Sequence, residues 1–107
     1  MIDEFEHIKF LADTIADSLH PKKIYLFGSF AEGRNTESSD YDFYVVMPDD
    51  DQRNTVDLIV SAQKSLRHKK QRAVDILVNR LGTFDLLKNS PLNVENDVAN
   101  KGVLIYG

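Results

Sequence analysis

Hydrophobic residues recur every three or four positions at the start of the chain. This spacing places apolar side chains on one face of a helix and polar side chains on the other. It predicts an amphipathic helix that ends before Pro21, because the residue preceding a proline disfavours the helical conformation. Counted from Ile2, the apolar positions are Phe5, Ile8, Leu11, Ile15 and Leu19.

Four short apolar segments further along the chain predict β-strands. They are rich in β-branched and aromatic residues, and most of them are bounded by glycine, serine or proline. The segments are 24–27, 41–47, 73–78 and 103–106, and the last is expected at an edge of the sheet.

Residues that commonly cap helices predict further helices between these strands. Strands that alternate with helices indicate an α/β sheet covered by helices. The expected helix starts are Ser29, the acidic segment 49–51, Thr83 and Ser90-Pro91, and Gly33 and Gly102 follow expected helix ends.

Length and composition narrow the class of protein. The 107 residues are expected to form one domain, 1–107, and they contain no cysteine for a disulfide or a thiolate metal site. The three histidines, His7, His20 and His68, are too scattered for a histidine-based zinc motif. No apolar segment approaches the roughly 20 residues that span a bilayer, and the acidic start is unlike a signal peptide. We therefore expect a cytoplasmic protein.

Charge is distributed unevenly along the chain. Residues 1–51 contain 12 acidic residues against 4 lysines and arginines, a net charge of −8, whereas residues 52–107 contain 5 against 9, a net charge of +4. A general nucleic-acid-binding protein would show a net basic surface, which a total of −4 does not provide. Direct nucleic-acid binding is therefore not expected.

Two Asp-x-Asp pairs occur in the sequence, and their contexts differ. Twelve aspartates in 107 residues predict roughly one such pair by chance, so the motif alone carries little information. Asp49 and Asp51 follow a proline and precede a helical pattern, which is typical of a loop and helix cap. Asp40 and Asp42 lie where a hydrophobic strand begins, so they are the candidate functional pair.

Asp75 is the third candidate carboxylate. Residues two apart on a strand face the same way about 6.5–7 Å apart, and neighbouring strands lie about 4.8 Å apart. If the strand of Asp75 neighbours the strand of Asp42, the carboxylates of Asp40, Asp42 and Asp75 can converge. Such a group requires protons or cations, and carboxylate oxygens suit Mg²⁺. The alternative is a carboxylate at a strand edge that hydrogen-bonds to the backbone.

Gly28-Ser29 is a candidate phosphate-binding turn. Glycine allows close approach of a ligand to the backbone, and N–H groups that open a helix bind anions. The alternative is a simple strand-to-helix turn with a serine cap. The basic segment 67–72 is more simply explained as a solvated connection than as a site for phosphate, RNA or an acidic partner. Tyr41 is expected to pack on the face opposite to its aspartate neighbours.

The stretch GSFAEGRNTESSDYDFYVV resembles the signature of the DNA polymerase beta-type nucleotidyltransferase superfamily. The short length and the ending NKGVLIYG resemble the minimal nucleotidyltransferase (MNT) group, whose members are often encoded beside a partner with a HEPN domain. The resemblance implies an α/β (α+β) fold with a mixed β-sheet flanked by helices.

The same resemblance assigns roles to individual residues. It implies that Gly28 and Ser29 hold a nucleoside triphosphate and that Asp40 and Asp42 bind two Mg²⁺ ions. Asp75 would bind the catalytic metal and help to deprotonate the acceptor. Many relatives carry arginine directly after the alanine of the turn, where this chain has Glu32, so Arg34 is the candidate substitute.

The function implied by the resemblance is transfer of AMP from ATP to a hydroxyl, on a tyrosine of a HEPN ribonuclease toxin, so that the protein acts as an antitoxin. Two alternatives remain open. The chain could neutralise a partner by binding alone, or it could modify a small molecule. A binding module would expose apolar residues, for which the candidates are Leu92, Val94, Val98 and 103–106.

Overall fold

A computed structural model of the chain describes residues 3–107. The predicted helical pattern begins at Ile2, and this one position lies outside the described residues. The elements in chain order are α1 (Glu4–Leu19), β1 (Lys23–Phe27), α2 (Gly28–Glu32), β2 (Tyr41–Met47), α3 (Thr55–Ser65), β3 (Val74–Arg80), α4 (Leu81–Leu87), α5 (Val94–Lys101) and β4 (Val103–Tyr106).

The four strands form one mixed sheet in the order β3-β2-β1-β4. β1 pairs with β2 and β4 in antiparallel fashion, whereas β2 and β3 are parallel. A parallel pair requires a crossover, and α3 with the basic segment that follows it makes that connection. The expected mixed sheet flanked by helices is confirmed, as is the edge position of residues 103–106.

β2 is covered on both faces, which explains its continuous apolar sequence. Its odd-numbered side chains, Tyr41 and Phe43 among them, are fully buried in the core that includes residues of α1 and α3. Tyr44 and Val46 face the other way and pack with Phe84 of α4 and Val98 of α5. The functional candidates Asp40 and Asp42 therefore lie at the start of a strand that is packed on both faces, Asp40 just before it and Asp42 within it.

Three predicted helix starts are wrong by several residues. α3 begins at Thr55, because Asn54 caps it by accepting a hydrogen bond from the backbone of Asp57 at 2.8 Å. The acidic segment 49–51 forms the preceding turn, where Asp49 accepts the backbone N–H of Gly82 at 2.8 Å. The contact of Asp49 with Gly82 joins distant parts of the chain, so capping rules for single segments did not reveal it, whereas the Asn54 cap is local and is a signal that the prediction missed.

The two C-terminal helices also differ from expectation at their starts. Thr83 lies inside α4, whose N-cap position is Arg80. α5 begins at Val94 after Asn93, while Ser90 belongs to the turn before it. Gly102 does end α5, as predicted. Within residues 3–107, no helix is long and apolar enough to cross a membrane.

Candidate active site

Asp42 and Asp75 lie directly opposite each other on neighbouring strands. The parallel pairing of β2 and β3 aligns Tyr41 with Val74 and continues in step, so that Asp42 faces Asp75. Asp42 is half-buried and Asp75 is exposed, so the pair is open to solvent from the side of β3. The neighbouring strands required for the predicted convergence are present.

The proximity of these carboxylates changes the acidity of Asp42. Burial raises its pKa to about 6, and the charge of Asp75, a hydrogen bond with Asp75 and the charge of Asp40 act in the same direction. Two carboxyl groups can share a hydrogen bond only when a proton lies between them. Asp42 therefore keeps a proton to a higher pH than an isolated aspartate does, and once both carboxyl groups are ionised a bound cation would relieve their repulsion.

Asp40 is exposed and lies one residue before β2. Within residues 3–107, no three acidic or histidine side chains are already arranged closely enough to hold a metal ion. The structure thus contains a close pair, Asp42 and Asp75, with Asp40 as the next carboxylate in the chain. The oxygen-only donor set and the mutual repulsion of the pair fit a hard divalent cation such as Mg²⁺.

Gly28 follows β1 and touches the carboxylate of Asp42. The antiparallel pairing of β1 with β2 places Phe27 opposite Asp42, which brings the next residue against that side chain. A Cβ atom on Gly28 would overlap Oδ2 of Asp42, and the φ angle of Gly28 is +73°. Glycine is therefore favoured here by its backbone conformation, and a side chain at this position would displace the carboxylate of Asp42.

Ser29 lies inside the first turn of α2 and not at its N-cap. The helix begins at Gly28, the N-cap position is Phe27, and within residues 3–107 no side chain caps this helix. The predicted serine cap is therefore wrong. The first N–H groups of a helix lack partners within it, so the backbone of this turn offers donors next to Asp42.

Arg34 lies just beyond α2 and pairs with Glu32. Its Nη2 atom is 3.3 Å from Oε2 of Glu32, and the arginine side chain is 65% exposed. An exposed ion pair of this kind contributes only about 0–1 kcal/mol. A strongly charged ligand could therefore compete with Glu32 for the guanidinium group.

A polar network supports the same sheet face and was not identified from the sequence. The hydroxyl of Tyr44 donates to Oε2 of Glu95 at 2.7 Å and accepts from Nδ2 of Asn79 at 3.1 Å. Glu95 is only 6% exposed, and burial raises the pKa of Tyr44 above its usual value. Its members come from β2, β3 and α5, so no local motif marks them.

The prediction that the basic segment 67–72 is a solvated connection is correct only in part. Residues 67–71 are exposed, as predicted for a solvated connection, but Arg72 is partly buried and forms an ion pair with Glu4 at 2.9 Å. Glu4 also accepts a hydrogen bond from the hydroxyl of Tyr41, whose ring is buried in the core as predicted. Beside Arg72 and Asp40 lies an open cleft of about 720 Å³.

Apolar surface is present near the C-terminus, although not at every expected residue. Leu92 is 93% exposed, and Val94, Val103 and Leu104 are also exposed. Val98 is buried because it faces the sheet from α5, and Ile105 is buried because it lies on the inner face of β4. The exposed apolar candidates are therefore fewer than the sequence suggested.

A family model described as "Nucleotidyltransferase domain" matches residues 8–104. The match includes the Gly28 turn and all three candidate carboxylates. A search of curated protein sequences found no match to this chain.

Several solved structures share this fold, and three of them illustrate the likeness. A candidate nucleotidyltransferase from Sulfolobus solfataricus is 21% identical with a TM-score of 0.57, and the alignment covers 92% of this chain and 76% of that protein. A toxin–antitoxin structure with AMP-PNP is 22% identical with a TM-score of 0.58 and coverages of 92% and 73%. The toxin–antitoxin pair MntA–HpeT, in a mutant with two aspartates changed to glutamate, is 21% identical with a TM-score of 0.59 and coverages of 99% and 74%. At these identities the likeness establishes the fold.

Proposed function

The chain belongs to the nucleotidyltransferase domain family, and on that premise we propose that it transfers AMP from ATP to a hydroxyl group with the help of Mg²⁺. The acceptor we propose is a tyrosine of a HEPN-type ribonuclease toxin, which the transfer inactivates. The observation that carries the proposal is the facing pair Asp42 and Asp75 beside the close approach of Gly28.

The proposed reaction forms a bond between the acceptor oxygen and the α-phosphorus and breaks the bond from that phosphorus to the departing pyrophosphate. Asp40, Asp42 and Asp75 would hold two Mg²⁺ ions, which supply charge neutralisation and acidify the acceptor hydroxyl when bound. Asp75, the exposed member of the pair, is available to accept the acceptor proton. The protein otherwise contributes mainly positioning.

The phosphate-binding part of the proposal rests on the turn after β1. The absence of a side chain at Gly28 lets a triphosphate approach the backbone next to Asp42. The backbone N–H groups of the turn and the Ser29 hydroxyl would donate to phosphate oxygens. Arg34 would exchange Glu32 for the triphosphate and thereby add a positive charge.

The choice of a toxin as acceptor rests on the structural neighbours. Two of those described above are toxin–antitoxin structures, and one of these contains AMP-PNP, an analogue of ATP. The substituted aspartates in the MntA–HpeT mutant are two positions apart, the same spacing as Asp40 and Asp42 here. These parallels support a nucleotide substrate and a protein partner.

The test is to incubate the chain with ATP, Mg²⁺ and the protein encoded by the neighbouring gene, as the proposed toxin, and to weigh that protein by mass spectrometry. We expect the added mass of one or more AMP groups on a tyrosine, lost when Asp40→Asn and Asp42→Asn are combined. The matched control combines Asp49→Asn and Asp51→Asn, which removes the other Asp-x-Asp pair and should preserve transfer. If the toxin stays unmodified in the presence of folded wild-type protein, ATP and Mg²⁺, the proposal is refuted.

A second candidate is neutralisation by binding alone, which the exposed Leu92 and Leu104 favour. The Asp40/Asp42 double variant also separates this possibility. If it protects cells from the toxin as well as the wild type does, complex formation and not transfer is the mechanism. Transfer to a small molecule would instead give a labelled product without labelled protein when radioactive ATP is used.

A further inference from the structure

Arg72 contacts three separate parts of the chain through one guanidinium group. Its Nε and Nη2 atoms bind the carboxylate of Glu4 at 3.0 and 2.9 Å. Its Nη1 atom donates to the carbonyl oxygens of Glu37 at 2.6 Å and Ser39 at 3.2 Å. Its Cζ atom lies 5.1 Å from the centre of the Phe30 ring. The side chain is consequently only 21% exposed.

These contacts lie next to two segments of the candidate site, and Arg72 itself precedes a third. Arg72 covers the ring of Phe30, which directly follows Ser29, and it binds the carbonyl oxygen of Ser39, which directly precedes Asp40. Asp75 follows three residues after Arg72 on the same strand connection. One side chain therefore links the phosphate-binding turn, the Asp40 loop and the start of β3.

The loop that carries Asp40, residues 34–40, has little else to hold it. Residues 34–38 and Asp40 are exposed, so no apolar side chain anchors the loop in the core. Thr36 and Ser39 form two hydrogen bonds with each other. The backbone N–H of Thr36 donates to Oγ of Ser39 at 2.8 Å, and the backbone N–H of Ser39 donates to the carbonyl oxygen of Thr36 at 3.1 Å. In the described part of the chain, the hydrogen bonds that join residues 35–40 to other segments are all donated by Arg72 to loop carbonyl oxygens.

We propose that Arg72 is a positioning residue that holds the Asp40 loop in the conformation that binds metal. The metal-binding part of this role rests on the proposed function, whereas the contacts between Arg72 and the loop do not. Ordering a flexible segment on binding costs conformational entropy, so a loop that is already ordered before binding spares the metal that cost. The planar fork of arginine can bind a carboxylate and backbone carbonyls together, whereas lysine supplies one compact charge.

The test compares Arg72→Lys with Arg67→Lys in the full-length chain. Arg67 lies in the same basic segment, is exposed and forms no ion pair within residues 3–107, so it controls for the arginine-to-lysine change. Amide hydrogen exchange in the absence of metal measures the order of residues 35–40. Titration with Mn²⁺, followed by the loss of its free-ion electron paramagnetic resonance signal, measures metal affinity without any reaction.

We expect Arg72→Lys to speed exchange in residues 35–40 and to raise the Mn²⁺ concentration for half-saturation about tenfold, while Arg67→Lys changes neither. Exchange in β1 and α3 should stay at the wild-type rate. Faster exchange throughout these elements would identify a general loss of stability and overturn the role.

Other outcomes also decide the matter. Unchanged exchange in the loop overturns the proposal whether or not the protein binds metal. Faster loop exchange with unchanged Mn²⁺ affinity would reduce Arg72 to a structural contact and would equally overturn it. Failure of AMP transfer to the toxin, by contrast, concerns the proposed acceptor and leaves both measurements interpretable.

Discussion

Asp42 on β2 and Asp75 on β3 are register partners that face each other across the only parallel strand pair of the described sheet. Like charges held this closely make the folded protein sensitive to pH and to cations. The pair is therefore both the candidate chemical centre and a local source of instability.

Without metal, stability should fall between about pH 4 and pH 6. The pKa of Asp42 rises from 3.8 to about 6 on folding, so the folded protein holds this proton more tightly than the unfolded chain does. The favourable contribution is complete below the unfolded value and is lost as pH rises through the folded one. After allowance for partial exposure we expect a loss of about 1–2 kcal/mol.

The measurement is urea unfolding of the wild type and of Asp42→Asn in chelator at a series of pH values. The difference in unfolding free energy between them should change across this interval and level off about one pH unit above it. A difference independent of pH would contradict the raised pKa.

Mg²⁺ should stabilise the protein above pH 6 and should do so through the carboxylate pair. A ligand that binds only the folded state adds about 2.7 kcal/mol at a concentration 100 times its Kd. Differential scanning calorimetry should show a rise in Tm with Mg²⁺ at pH 7.5 that is absent in Asp42→Asn and small at pH 5. An equal rise in wild type and variant would place the bound metal elsewhere.

Gly28→Ala should abolish activity and destabilise the fold, whereas Gly33→Ala should only destabilise it. Both glycines have positive φ, +73° and +71°, so each alanine carries the cost of about 1–2 kcal/mol for that conformation. Only at Gly28 does the new Cβ meet the Asp42 carboxylate, since nothing lies within 4 Å of the one at Gly33. AMP transfer and Tm measured on both variants separate backbone strain from displacement of Asp42, and similar transfer rates in the two would argue against that displacement.

Tyr44→Phe should destabilise the protein by about 1–3 kcal/mol, because the buried carboxylate of Glu95 would lose the hydrogen bond that it accepts from the Tyr44 hydroxyl. Combining Tyr44→Phe with Glu95→Gln should cost less than the sum of the single changes, since the two residues share one interaction. Denaturant unfolding of the four proteins gives the coupling energy. Additive effects would mean that the hydrogen bond contributes little.

Several features followed from local sequence because their causes are local. The apolar period of α1, the bounds of β2 and the end of α5 at Gly102 depend on residues within a few positions of one another. The Gly28-Ser29 turn before an Asp-x-Asp strand was recognisable for the same reason. Helix starts were predicted less well: Asp49 binds a backbone group that is distant in the sequence, which no local pattern shows, while the local Asn54 cap of α3 was overlooked.

The pairing of Asp42 with Asp75 required tertiary structure. Their strands are separated by α3 and a basic connection, and only packing of that crossover on the sheet sets the register that aligns them. The same holds for Arg72 and Glu95, whose partners lie far away in the sequence. Residue type and spacing thus specified which side chains have the chemistry, while long-range packing, which no local pattern encodes, decided which of them meet.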